Sequence, residues 1–238
     1  MTGYGPLTAV PRAARSIGDQ WRALCAPTPA PPPFDPGAVG ALPAPVGRWL
    51  RHTIPPGTPV TRGVALSMHG TIRLGAWRSF TARQVLAAGR GFVWSASARF
   101  GPVPVTGFDR YVDGAGEMRW RLLGAVPVMS SVGPDVTRSA AGRLAIETML
   151  SPPAALGPSV GWLTVDDVGR LTGATMLRWG APLQEPAGLY PFGVFFTGER
   201  EVDGVRMADR IEAGWFAGTD RWADGVFFRA TLDGATRL

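Results

Sequence analysis

Hydrophobic and polar positions alternate with period two along most of this chain, and Gly or Pro bounds nearly every alternating run. Val60, Arg62, Val64, Leu66, Met68, Gly70, Ile72 and Leu74 alternate with smaller or polar residues, which predicts a long strand bent at Gly70. "GRGFVWSASARF", Gly89 to Phe100, repeats the pattern. Phe92, Trp94, Ala96, Ala98 and Phe100 fall on one side, and Ser95, Ser97 and Arg99 on the other. "VTGFDRYVDGAGEMRWRLLG" reads as a hairpin turning at "DGAG". Phe108 and Trp120 are expected on one face of it, and Asp109, Tyr111, Arg119 and Arg121 on the other. "GWLTV", "TGATMLRWG", "YPFGVFFTG", "VRMADRIEAGWF" and "GVFFRATLDG" add five further strands.

Helical spacing is confined to fewer places. Residues 134–150 open on Pro134, stack Val136, Ala140, Leu144 and Thr148 at i, i+4, and stop at "SPP". Residues 35–54 predict a helix broken near Pro43 and Pro45, firmest over "VGRWLRHTI". "SFTARQVLAAG" predicts a short helix capped by Ser79 or Thr81 and stopped by Gly89. About eight strands with two substantial helices describe a mainly β fold with α elements, an antiparallel sheet with helices on one side. Residues 1–34 are set apart as a basic segment with a narrow apolar stripe (Ile17, Trp21, Leu24) and a Pro-rich linker, "APTPAPPPFDP". A frayed tail is the plain expectation for that segment, with weak membrane-surface contact the alternative. Residues 35–238 then form a single domain.

Composition supports a folded chain: 45% of its 238 residues are hydrophobic and 18% charged, while 32 Gly and 23 Pro favour turns over long helices. Every basic residue is Arg, and the formal charge is +6. These arginines are scattered singly, so a nucleic-acid face is not expected. A lone cysteine, Cys25, excludes an internal disulfide and a Cys-rich metal site. Its surroundings lack both an aliphatic lipobox and an apolar leader. With no export signal recognised and no run long enough to span a bilayer, the cytoplasm is the expected compartment.

Candidate chemistry is sparse. "GPSVG", Gly157 to Gly161, matches a nucleophile elbow in letters, yet Ser159 follows a Pro-rich loop and precedes a strand. Both histidines, His52 and His69, come before it, the reverse of the hydrolase order. The glycines of "DGAGEM" join antiparallel strands and open no helix, so no nucleotide cofactor is expected there. His69 alternates to the polar side of its strand, and Asp166 and Asp167, being adjacent, point apart, so no metal is expected. Arg143 and Glu147 sit at i, i+4 on the best helix, which a local ion pair explains.

Aromatic residues carry the remaining signal: nine Trp and eleven Phe against three Tyr. Trp77, Phe80, Phe92, Trp94, Trp120, Trp162, Phe195 and Trp215 are distributed over nearly every element. They either fill a core or wall a cavity for an apolar guest, with Asp109, Tyr111, Arg119 and Arg121 as its polar rim. The expected function is non-enzymatic binding of a hydrophobic small molecule or acyl chain. Two alternatives stay open. One is an enzyme acting in the same pocket through Asp109, Tyr111, His69 or Glu147; the other is a module docking through the basic N-terminal segment.

The run of motifs "LPAPVGRWLRHTI", "MHGTIRL", "WRSFTARQVLAAGRGFVWSASARF", "FDRYVDGAGEMRWRLLGAVPV", "RLAIETMLSPPAAL" and "GWLTVDD" resembles a bacterial family of unknown function over roughly residues 40 to 170. That resemblance implies no activity. It implies an architecture similar to the Lol-type lipoprotein carriers: an open antiparallel half-barrel wrapped around helices, with an apolar groove. Lol-type carriers act outside the cytoplasm after export, the one respect in which the expectations diverge.

Overall fold

The computed structural model describes residues 6–156 and 162–238. Eleven strands form one sheet: β1 (Gly63–Leu74), β2 (Ala76–Ala87), β3 (Gly91–Phe100), β4 (Val103–Val112), β5 (Ala115–Leu122), β6 (Val126–Val132), β7 (Trp162–Val165), β8 (Leu171–Gly180), β9 (Gly188–Val202), β10 (Val205–Trp215) and β11 (Val226–Arg237). Their order is β6-β5-β4-β3-β2-β1-β11-β10-β9-β8-β7, antiparallel throughout. Two meanders therefore meet where the first strand pairs with the last. Four α-helices accompany them: α1 (Gly18–Leu24), α2 (Ala44–Thr53), α3 (Pro134–Glu147) and α4 (Trp222–Gly225).

Topology dictates where α3 must lie. β6 ends at one edge of the sheet and β7 begins at the other, so the connection has to cross a face. α3 makes that crossing, touching β4, β5 and β6 of one meander and β8 of the other. In a flat sheet β5 and β8, eight steps apart, would stand about 38 Å from each other. A helix only about 10–12 Å across can touch both only if the sheet curls around it. The sheet is therefore an open, curved half-barrel, with α2, α3 and the turns at Thr148–Leu150 and Pro152–Leu156 on its concave side.

The close approach of α3 depends on Gly116. A Cβ there would sit 2.8 Å from the Thr137 Cα and from the Val136 carbonyl, both backbone atoms. Its N–H instead donates to the Thr137 hydroxyl at 3.0 Å. Gly116→Ala is expected to push the helix outward and cost about 1–3 kcal/mol. Urea denaturation reads this directly, and an unchanged midpoint would show that α3 is free to shift.

Two expectations are corrected. "SFTARQVLAAG" is no helix but the body of β2, paired on both sides with β1 and β3. Its Ala, Gln, Leu and Arg favour helix locally, and two flanking strands override that preference. The N-terminal segment is also no frayed tail. Its 3-10 turn (Arg12–Ile17) and α1 cover the convex face, where Ala14, Trp21 and Leu24 join Ala65, Val85, Val93, Phe108 and Val112 in a second core. The Trp21 indole N–H donates to the Thr8 carbonyl at 2.8 Å. Burial in this layer pushes the Cys25 thiol up to about 11, so it is protonated and unreactive at neutral pH. The Pro-rich stretch lies along residues 57–62: Val60 N–H donates to the Pro32 carbonyl and Phe34 N–H to that of Thr58, each at 2.8 Å. Its prolines accept where they cannot donate.

Candidate functional site

Alternation on six strands places the predicted aromatics on two opposite faces. Phe80, Phe92, Trp94, Trp120 and Trp215 lie on the concave side and Trp77, Phe195 and Trp162 on the convex side. The concave rings interlock: Trp94 stands 5.7 Å from both Phe80 and Trp120, centroid to centroid, and Phe80 stacks on Phe228 at 5.2 Å. They fill a core around Trp94. The convex rings are not walls of the same site. Trp77 is flanked by Arg73 and Arg229, Phe195 meets Trp222 edge-on, and Trp162 is 82% exposed.

The predicted polar rim divides in the same way. The turn at Asp113–Gly114 has two residues, which sets Val112 opposite Ala115 and Phe108 opposite Arg119. Phe108, Arg119 and Arg121 therefore share the convex face, while Asp109, Tyr111 and Trp120 share the concave one. Putting Phe108 with Trp120 would require a register shifted by one residue, which turns a whole strand over. His69 also lies on the convex face, 2.7 Å from Asp233. Of the four residues an enzymatic reading would bring together, only Asp109 and Glu147 meet.

They meet on Arg143. Its Nε donates to Glu147 at 2.6 Å and a terminal nitrogen donates to Asp109 at 3.0 Å. The Trp120 indole N–H donates to the other Asp109 oxygen at 2.9 Å, and the Gln84 amide to the other Glu147 oxygen at 2.6 Å. The guanidinium also lies over the Phe92 and Trp94 rings, 4.7 and 5.1 Å from their centroids. Burial, helped by repulsion from Glu147, raises the Asp109 carboxyl above its ordinary value, against the pull of Arg143 and Trp120. Burial alone would lower Arg143, but the two carboxylates together outweigh it and hold it up. Both oxygens of each carboxylate accept a hydrogen bond from within the network. The network clamps α3 to the sheet.

Beside this clamp, between α3 and strands β3–β5 and β8, a cleft of about 270 Å³ opens. Phe92, Met118, Val136, Ala140 and Trp179 supply much of its wall. Arg178 is the unexpected member. Its guanidinium lies against the touching rings of Phe192 and Trp215, 4.6 and 5.3 Å from their centroids, and its only described acceptors are the carbonyl and hydroxyl of Ser139. Burial, with repulsion from Arg143, brings it down to about 10. Sequence reasoning missed both Arg178 and Gln84. Gln84 interrupts the apolar run Phe80, Ala82, Leu86 on one side of β2, a signal hidden by reading that stretch as a helix. Ser159 lies outside the described residues.

Among the described residues no helix is long and apolar enough to cross a membrane. No curated protein matches the chain. A crystal structure described as an outer membrane lipoprotein-sorting protein domain from Vibrio parahaemolyticus is similar, at 7% identity and a TM-score of 0.33, over 74% of this chain and 85% of that one. The clamp of Gln84, Asp109, Trp120, Arg143 and Glu147 lies within residues 32–168, and it is this stretch, more than half of the sequence, that matches the model of the "Family of unknown function (DUF6544)"; the chain belongs to that family.

Proposed function

We propose that the protein binds, without transforming it, a hydrophobic small molecule or short acyl chain between α3 and the concave face of the sheet. The observation that supports this is the cleft itself: an apolar patch of Phe92, Met118, Val136, Ala140 and Trp179 bordered by three guanidiniums (Arg110, Arg143, Arg178) and three carboxylates (Asp109, Glu117, Asp135), under a helix roof fixed by a polar clamp. Its volume of about 270 Å³ falls just below the roughly 300 Å³ at which small-molecule sites begin, which favours a compact guest over a long lipid. The interlocked rings around Trp94 confine that guest to the side of the core, so Phe92 is the one aromatic of the predicted set that touches it.

Native mass spectrometry and solvent extraction of the purified protein test the reading. A bound mass that disappears in Ala140→Phe, which fills the cleft, is the expected result. Finding nothing bound, together with no response of Trp fluorescence to added medium-chain fatty acids or alcohols, would overturn it. Arg178→Met should leave the melting temperature unchanged or raise it, because a buried cation without a carboxylate contact is costly. Loss of binding in that variant would separate recognition from stability.

A further inference from the structure

The convex face carries a site of different character. Between the Arg12–Ile17 turn and the β4–β5 strands runs a groove of about 540 Å³ lined by Arg12, Arg15, Arg119 and Arg121, with no Asp or Glu in its wall. Arg119 is held by Glu117 at 2.5 Å and lies over the Phe108 ring. Among the described residues the other three guanidiniums make no ion pair. In a chain whose arginines are otherwise scattered, the fold has gathered four around one cavity. Docking of the N-terminal segment does this: its apolar side, Ala14, Trp21 and Leu24, is buried on the sheet, and its cationic side borders the groove.

The same groove is walled by the β5–β6 turn, Leu123, Gly124 and Ala125. Three turns in this sheet place consecutive residues at positive φ in almost identical geometry: Asp113–Gly114 (53° and 75°), Asp203–Gly204 (50° and 77°) and Leu123–Gly124 (53° and 72°). Asp before Gly is what such a turn favours, and a leucine there is strained. Leu123 is also 65% exposed, so core packing does not compensate the strain. Beyond it, edge strand β6 is exposed on both of its sides, with Val132 opposite Glu117 on the convex face and Val126 and Met129 opposite Leu122 and Trp120 on the concave one. A strained apolar tip beside a cationic groove matches the two layers of a bilayer surface, lipid phosphates and the acyl boundary beneath them.

We propose that this face docks on an anionic membrane surface, with Arg12, Arg15, Arg119 and Arg121 on lipid phosphates and the Leu123 tip and β6 entering the interface. The inference goes beyond the concave-cleft reading and does not depend on it, since the two sites lie on opposite faces of the sheet. The N-terminal segment thereby acts through its arginines and not through its apolar stripe.

Cosedimentation of the full chain with vesicles tests it. Binding is expected to vesicles containing one third phosphatidylglycerol, to be absent with pure phosphatidylcholine, and to vanish in 1 M salt, where the screening length falls to about 3 Å. Leu123→Asp should weaken binding about tenfold, with the melting temperature unchanged or higher because Asp suits the turn. The triple variant Arg12→Gln, Arg15→Gln, Arg121→Gln should weaken it about a hundredfold. Four results would each overturn the proposal. These are no binding to anionic vesicles at low salt, parental binding by Leu123→Asp, retention of soluble glycerol phosphate in place of vesicles, and a lipid-free dimer that Leu123→Asp converts to monomer.

Discussion

Arg143→Ala is expected to destabilise the fold by about 3–5 kcal/mol, because it leaves the Asp109 and Glu147 carboxylates facing each other without their shared cation. For a chain of this size that corresponds to a fall in melting temperature of about 6–20 °C. Neither carboxylate can escape to solvent cheaply: their side chains are only 15% and 19% exposed, and Asp109 already lies above its ordinary value with Arg143 present. Removing the cation raises the Asp109 carboxyl further. A carboxyl raised in the folded state binds a proton the unfolded chain does not, so stability falls as pH rises through the folded value. The gap between parent and variant should therefore be widest at neutral pH and narrow on acidification. Thermal melts of both proteins from neutral to acidic pH check this. A combined variant Asp109→Asn, Arg143→Met, Glu147→Gln should recover much of the loss, since it removes the charges as a set. If Arg143→Ala melts with the parent at neutral pH, the clamp contributes nothing to holding α3.

Trp21→Ala should cost a similar amount, about 3–5 kcal/mol, although it lies in the stretch that reads as a tail. Trp21 is fully buried, and its loss opens a cavity between α1 and the convex side of the sheet. Removing residues 1–34 should be worse still. It uncovers Val85, Val93 and Phe108 together and strips the hydrogen bonds that residues 28–34 make with residues 58–62 and with the chain end at Leu238. The truncated chain is expected to melt well below the parent and to associate through the exposed face. A truncated protein that stays monomeric and melts with the parent would show that the convex layer is an accessory. The concave layer provides an internal comparison: a ligand lost with Ala140→Phe but retained in Trp21→Ala would show that the two layers act independently.

Much of the architecture was legible because it is written locally. Alternation over Val60–Leu74 and "GFVWSASARF", the turn at "DGAG" and the Pro134-to-"SPP" helix each depend on neighbours within a dozen residues. Where the reading went astray, the deciding contacts were distant. β2 contains good helix formers and becomes a strand because β1 and β3 lie on either side. The polar rim divided between two faces because a two-residue turn sets register, and four letters, "DGAG", do not say how many of them turn. The site was less legible still. Asp109, Arg143 and Glu147 were each singled out, the last two as a simple helical pair. Their junction under α3, and the approach of Gln84 and Arg178, follow from strands far apart in sequence.

The sequence by itself determined an antiparallel sheet with few helices and bulky rings on many strands, because side-chain period and turn chemistry act over a few residues. Which rings face inward, what covers the outer face and where charges converge were decided only by tertiary structure. Alternation separates two faces of a strand without saying which is the inside. That choice is made when β1 pairs with β11, the sheet curls around α3, and the first thirty-odd residues cover the apolar side that remains.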